Sequence, residues 1–244
     1  METADAAKNE VAITPYARTW YRLARWTFRA LGWLLFRITV TGQSNVPRGN
    51  YVVVANHLSW IDPFLLMMYL PAEPRLYFLG AQQAVNQGWK GWVMDHFDML
   101  IPVRRGAAWL GREVLEKPKH VLAAGAVLGL FPEGRLGPKE GELLPLERGI
   151  GHILLAAGQP VLPVAISGAQ ELYLRKQVTV RIGEPLRVAI GGLRHHEAID
   201  AAVEQVAETL RQLLPAYQEP RPAFKAMLFL SNLLDVGLPK QAGK

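Results

Sequence analysis

His57 and Asp62, five positions apart, carry the most readable chemistry in this chain. An imidazole with one nitrogen held by a carboxylate keeps the other free to take a proton, the arrangement of a general base. The two lie in Ala55-Asn56-His57-Leu58-Ser59-Trp60-Ile61-Asp62-Pro63, behind the apolar run Tyr51-Val52-Val53-Val54. That run has the length and β-branched content of a buried strand. Pro63 suits the first turn of a helix, Asp62 sits where a carboxylate caps its start, and Phe64 to Leu70 continue it. His57 is therefore expected at the carboxyl end of a strand with Asp62 at the mouth of the next helix, the crevice where open α/β sheets bind ligands. Taken alone, the pair is also compatible with an ordinary Asp-Pro helix cap.

Three more stretches follow or form strands. In Leu130-Phe131-Pro132-Glu133-Gly134-Arg135, Glu133 and Arg135 should share the sheet edge of His57, and Gly134 permits a tight turn and close approach to a ligand. Lys139 and Arg148 lie just beyond. In Ile101-Pro102-Val103-Arg104-Arg105-Gly106, two cations end a strand, and an Arg fork suits a phosphate. Val161 to Ile166 reads as core strand. Each stretch has a plain alternative: a surface turn, solvated arginines, a strand.

In order along the chain, these four stretches resemble the blocks of the 1-acyl-glycerol-3-phosphate (lysophosphatidic acid) acyltransferase family of glycerolipid acyltransferases. The family's blocks are Asn-His-x4-Asp, Ile-Pro-Val-x-Arg, Phe-Pro-Glu-Gly-Thr-Arg-Ser and a Val-Pro-Val segment. Here they appear as Asn56 to Asp62, Ile101 to Arg105, Phe131 to Arg135, and Leu162 to Ile166. The resemblance covers roughly residues 40 to 190. It implies acyl transfer from a thioester to a lysophospholipid hydroxyl, most simply 1-acyl-sn-glycerol-3-phosphate giving phosphatidic acid. His57 would be the base and Asp62 its holder, with Arg105, Glu133, Gly134 and Arg135 forming the glycerol-phosphate pocket. Two departures border that pocket. Gly134 is followed directly by Arg135-Leu136-Gly137 where the family has Thr-Arg-Ser, so either Arg135 occupies the Thr position or a Thr has been lost before it, and Met99-Leu100 precedes Ile101 where a small Gly is common. Both bear on the acceptor more than on the chemistry.

The residues agree with that chemistry. With no cysteine and no Gly-x-Ser-x-Gly elbow, direct attack of the acceptor hydroxyl, deprotonated by His57, is the economical route. Backbone N–H groups near the helix start after Asp62 are candidates for the oxyanion. No cofactor and no metal are expected; acyl-CoA or acyl carrier protein would be the donor. His120, His152 and His195-His196 show no ligand pattern. Competing readings are transfer to another lysolipid, ester hydrolysis through His57, and a catalytically silent lipid-binding module.

The elements that must position these groups alternate. Strands are expected at Ile38 to Thr41, Tyr51 to Ala55, Arg75 to Leu79, Met99 to Val103, Val127 to Phe131, Val161 to Ile166 and Val178 to Ile182, the last at an edge. Helices are expected at Phe64 to Leu70, Trp89 to Phe97, Ala107 to Ala124, Ile150 to Ala157 and His195 to Leu214. The fold class is α/β, a mixed, largely parallel sheet flanked by helices. A length of 244 residues allows one large domain with appendages. The divisions read as a tail and interfacial helix over 1–40, a catalytic domain over 41–220, and an apolar helical appendage over 221–244.

The net charge of +6 favours an anionic partner, and no nucleic-acid motif accompanies it. Between Ala17 and Val40 stand five Arg, three Trp and no acidic residue. Arg18, Arg22, Arg25 and Arg29 recur at helical spacing, the pattern of a helix lying on an anionic membrane surface. A packed amphipathic helix with a solvated Arg edge is the competing reading. The longest stretch without a charged side chain, Gly149 to Gln170, holds four Gly and two Pro, so no transmembrane helix is expected. The N-terminus lacks a signal-peptide order. Together these point to a peripheral or monotopic protein on the cytoplasmic face of the cell membrane.

Overall fold

The computed structural model describes residues 12–81, 93, 96–103, 112–188, 192–218 and 224–233. Its strands are β1 (Arg37–Thr41), β2 (Val52–Ala55), β3 (Leu76–Ala81), β4 (Leu100–Val103), β5 (Val127–Leu130), β6 (Val161–Ser167) and β7 (Gln177–Ile182). Its α-helices are α1 (Thr19–Leu35), α2 (Asp62–Tyr69), α3 (Arg112–Ala123), α4 (Gly149–Ala157), α5 (His195–Leu213) and α6 (Phe229–Leu233). The expected helix over Trp89 to Phe97 falls mostly outside the described residues.

The strands form one sheet in the order β1-β7-β6-β2-β5-β3-β4. Every neighbouring pair is parallel except β6 with β7, so the sheet is mixed and largely parallel, as expected. The strands in the middle read as continuous apolar runs because helices cover both faces. Alternation along β2 divides the core. Val53 and Ala55 pack with Phe64, Leu65, Met67 and Phe78 on the α1/α2 side. Val52 and Val54 pack with Leu128, Ile150, Ile153, Val206 and Leu210 on the α3–α5 side. A shift of one residue in β2 would exchange these layers, so its register is tightly specified.

Two expectations are corrected here. β7 is not an edge strand: it pairs with β6 on one side and β1 on the other, and β1 takes the edge. The exposed Gln177 and Arg181, which gave β7 its edge-like composition, face solvent from one side of the sheet while the strand's backbone is paired on both.

The Arg stripe of α1 is divided: Arg18 and Arg22 are exposed, whereas Arg25 and Arg29 are turned against α2. Arg22 pairs with Glu73 at 2.6 Å. Arg25 donates through Nε to the Met67 carbonyl at 2.7 Å and through Nη2 to the Leu70 carbonyl, and so closes the C-terminal end of α2. Arg29 lies over the Trp26 and Tyr69 rings. Cations suit a helix C-terminus, where carbonyls lack intrahelical donors. Burial accordingly pulls the Arg25 pKa below its ordinary value, and the neighbouring Tyr21 works against that shift. The large apolar side chains that α1 exposes are Leu23, Trp26, Leu31, Trp33 and Leu34, alongside the polar Thr19, Arg22 and Thr27. Its opposite side, with Tyr21, Ala24, Phe28 and Gly32, packs inward; Phe28 meets Phe64 and Phe97. No helix among the described residues is long and apolar enough to cross a membrane.

Candidate active site

The chain leaves β2 at Ala55, and Asn56 closes the departure. Its amide donates to the Ile166 carbonyl at 2.9 Å and accepts from the Ile166 N–H at 2.7 Å, continuing with a side chain the pairing that β2 and β6 make with backbone. His57 follows, and the turn then folds back so that Asp62 meets it.

The Asp62 carboxylate is fully buried. Its Oδ2 accepts from His57 Nδ1 at 2.9 Å, Leu58 N–H at 2.6 Å and Ser59 N–H at 2.7 Å, while the Ser59 hydroxyl reaches Oδ1 at 3.3 Å. The expected local helix cap is therefore replaced. Asp62 is the first residue of α2, but its side chain serves the preceding turn, and Pro63 brings no N–H of its own to be capped. A buried carboxylate with this many donors acts as an acceptor, so the proton of the His57–Asp62 contact sits on Nδ1 and Nε2 keeps its lone pair. The imidazole is 21% exposed, enough to be reached from outside. One face is stacked on Phe131, centroids 4.0 Å apart and rings 16° from parallel, and Phe131 in turn stacks on Phe78. Both imidazole torsions are thus constrained, one by a hydrogen bond and one by a ring.

Glu133, just past β5, is turned inward. It is 2% exposed; Oε1 accepts the His57 backbone N–H at 2.8 Å and Oε2 accepts the Leu144 N–H at 2.9 Å. Burial pushes its pKa up, and the two backbone N–H donors oppose that. The same loop returns to the histidine a second time, with Gly137 N–H donating to the His57 carbonyl at 2.6 Å. Gly134 has φ +65°, the left-handed region where a side chain is strained, and it lets the chain turn between these two contacts. His57 is therefore gripped at its N–H, carbonyl, Nδ1 and ring face.

Of the residues singled out from sequence, the structure brings together His57, Asp62, Glu133 and Gly134. Arg135 is exposed on the same loop. Arg105 lies outside the described residues. The strand it follows, β4, stands three places from β2, so the two strand ends are roughly 14 Å apart. Asn56, Ser59 and Phe131 also shape the site. The signals for them were thin: Asn56 adjoins the histidine, Ser59 stands three before Asp62, and Phe131 is simply the last apolar residue before Pro132. The Leu58 and Ser59 N–H groups, in the turn before the helix start, are engaged by Asp62. No cluster of three or more metal-ligating side chains occurs among the described residues.

Known proteins resemble this chain in sequence and in fold. The Acyltransferase family model matches residues 37–167, more than half of the chain. The 1-acyl-sn-glycerol-3-phosphate acyltransferase of Bacillus subtilis (strain 168) is 25% identical over 182 residues, covering 72% of this chain and 87% of that protein. The human 1-acyl-sn-glycerol-3-phosphate acyltransferase alpha is 27% identical over 142 residues, 58% of this chain and 49% of that one. The chain thus matches most of the bacterial relative and about half the length of the human one. The crystal structure of the 1-acyl-sn-glycerophosphate acyltransferase from Thermotoga maritima shares the fold, with a TM-score of 0.59, 23% identity and 79% of each chain covered. With its β2 turn, its β5 loop and the strands between them all inside the matched region, the chain belongs to the acyltransferase family.

Proposed function

We propose that the chain moves a fatty acyl group from an acyl thioester to the free hydroxyl of a lysophospholipid, with 1-acyl-sn-glycerol-3-phosphate as acceptor and phosphatidic acid as product. The observation that carries this reading is the His57–Asp62 contact, with Nδ1 tied to a buried carboxylate and the ring held on Phe131. Family membership and the activity for which the relatives are named support it.

His57 Nε2 takes the proton of the acceptor hydroxyl as its oxygen attacks the thioester carbonyl. The new carbon–oxygen bond forms and the carbon–sulfur bond breaks as the tetrahedral intermediate collapses; the departing thiolate takes up the proton from the imidazolium. Asp62 stabilises that imidazolium through Nδ1–H and fixes the ring's orientation. No cofactor is needed in this scheme, because the thioester supplies the activation. The donor is the thioester of coenzyme A or of acyl carrier protein.

Arg135 and Arg105 supply the cations for the acceptor phosphate. Glu133 is better suited to positioning His57 than to meeting a phosphate: both its oxygens already hold backbone N–H groups, and its charge would repel the anion. The exposed apolar face of α1 lies against a membrane, on the cytoplasmic side where acyl thioesters are made available.

The test is an acyl-donor assay with and without lysophospholipid. Acyl transfer to the lysolipid is expected, with Arg135→Ala raising the acceptor KM while donor KM changes little. Release of free fatty acid independent of acceptor would make the protein a hydrolase. No turnover by the parent chain with either donor would leave a lipid-binding module.

A further inference from the structure

We infer that residues 224–229 form a second membrane-contacting patch, continuous with the end of α1, which seats the active-site edge of the sheet on a lipid surface bearing anionic headgroups. The inference rests on the proposed acyl transfer only for its purpose; the surface itself is defined by exposure and topology.

Sheet register fixes the position. Ala55, just before His57, is level with Val164 in β6; β6 runs on to Ser167, which is level with Thr179 in β7. β7 starts at Gln177, which pairs with Arg37 at the start of β1. The C-terminal end of α1, which feeds β1, therefore stands at the same carboxyl edge as His57. The segment before β7 is tied to both appendages. Arg175 N–H donates to the Leu35 carbonyl at 2.6 Å, and Leu174 N–H donates to the Ala226 carbonyl at 2.8 Å. Ser231 Oγ accepts from Leu172 N–H at 2.7 Å and donates to its carbonyl at 2.9 Å, and Lys225 pairs with Glu171.

Polar contacts and Leu230, which packs against the core, thus hold residues 225–231 to the body, while Phe224, Leu228 and Phe229 are left exposed. Phe224 is 81% exposed and Phe229 58%, beside Leu228. On α1, Trp33 is 77% exposed and Leu34 61%. Large aromatics collected at one edge mark an interaction surface rather than scattered surface residues. Arg37 and Arg175 are exposed at the junction of the two groups, so the rim is basic. Aromatic and aliphatic side chains with a cationic rim fit the boundary between headgroups and acyl chains. Such a surface at the edge that carries His57 would bring the base to an acceptor that stays in the bilayer.

The experiment uses the full chain with Phe224→Ser and Phe229→Ser combined, and vesicles of phosphatidylcholine and phosphatidylglycerol in equal parts. Vesicle partitioning is expected to fall by about tenfold or more, since transfer of each aromatic into the interface is lost. Turnover of a long-chain lysophosphatidic acid carried in those vesicles should fall with it, while turnover of a short-chain, dispersed acceptor is retained. Because the chain has no cysteine, Phe224→Cys can carry a single environment-sensitive label; its emission should shift to the blue when vesicles are added. Partitioning equal to the parent, or a label that does not respond, overturns the inference. So does a concentration-dependent dimer that the double variant loses while still binding vesicles, which would give the patch to a second copy. Vesicle binding is read without turnover, so an inactive parent chain would sink the activity reading separately from this one.

Discussion

The turn over residues 56–62 and the helix over 19–35 handle their polar groups in opposite ways. In the turn, a charge is taken fully inside and surrounded: Asp62 holds one imidazole and two backbone N–H groups, and Asn56 closes a gap in the sheet. In α1, Arg25 and Arg29 reach inward to a helix end and aromatic rings, and the helix presents Leu23, Trp26, Trp33 and Leu34 to the outside. The first arrangement makes a rigidly held imidazole, the group proposed above to transfer the proton. The second makes a face whose apolar surface is left exposed among the described residues. The proposed transfer to a lysophospholipid uses both, because the reacting hydroxyl is polar while the molecule carrying it is held by its chain.

The strongest way to break this comparison is at the centre of the turn. His57→Ala should leave the fold intact, since the ring is partly exposed, and lower kcat by roughly 10²–10⁴-fold, the usual worth of a positioned base. Near-parental turnover in folded protein would remove the imidazole from the mechanism. Asp62→Asn should cost less, though at least about tenfold, because an amide oxygen can still accept the Leu58 and Ser59 N–H groups but cannot stabilise an imidazolium as a carboxylate does. Equal losses in the two variants would mean that orientation and charge at Nδ1, not the base alone, limit the rate.

On the helix the comparison is sharpened by setting two arginines of the same stripe against each other. Arg25→Ala removes charge-assisted hydrogen bonds to the end of α2, and loss of stability by about 1.5–3 kcal/mol is expected from chemical denaturation. Arg18→Ala, at an exposed site, should change stability by no more than about 0.5 kcal/mol while weakening binding to anionic vesicles. Equal stability effects would mean that the Arg25 contacts with α2 contribute nothing.

The difference in legibility between the two regions has a physical basis. The His57–Asp62 contact spans five residues, so a strand, a turn and a helix start are enough to predict it. The seven strands were readable for a similar reason, as short apolar runs between breakers. Whether Arg25 faces lipid or the Met67 carbonyl depends on how α1 packs against α2, 42 positions away, and periodicity alone cannot express that. Glu133 shows the same limit. The family resemblance implied a place in the phosphate pocket, but its oxygens hold the backbone N–H groups of His57, 76 positions away, and Leu144. The edge position of β1 depended on pairing between segments 140 positions apart, Arg37 with Gln177.

Glu133 yields the smallest and most specific effect. Burial holds its pKa above the ordinary carboxylate value, while in the unfolded chain it titrates normally. The folded state therefore binds this proton more tightly than the unfolded state does. The resulting contribution to stability is fully present below the ordinary carboxylate range and is lost as pH rises through the raised pKa. Glu133→Gln removes the titration. It also leaves one of the His57 and Leu144 N–H groups facing an amide NH2, a penalty that does not vary with pH. The stability gap between parent and variant, measured from denaturation midpoints, should accordingly be wider near about pH 4 than near about pH 7. A gap that instead widens with rising pH would mean that the two backbone donors outweigh burial. Glu133 would then resemble Asp62, a carboxylate stabilised in its charged form by the turn it holds.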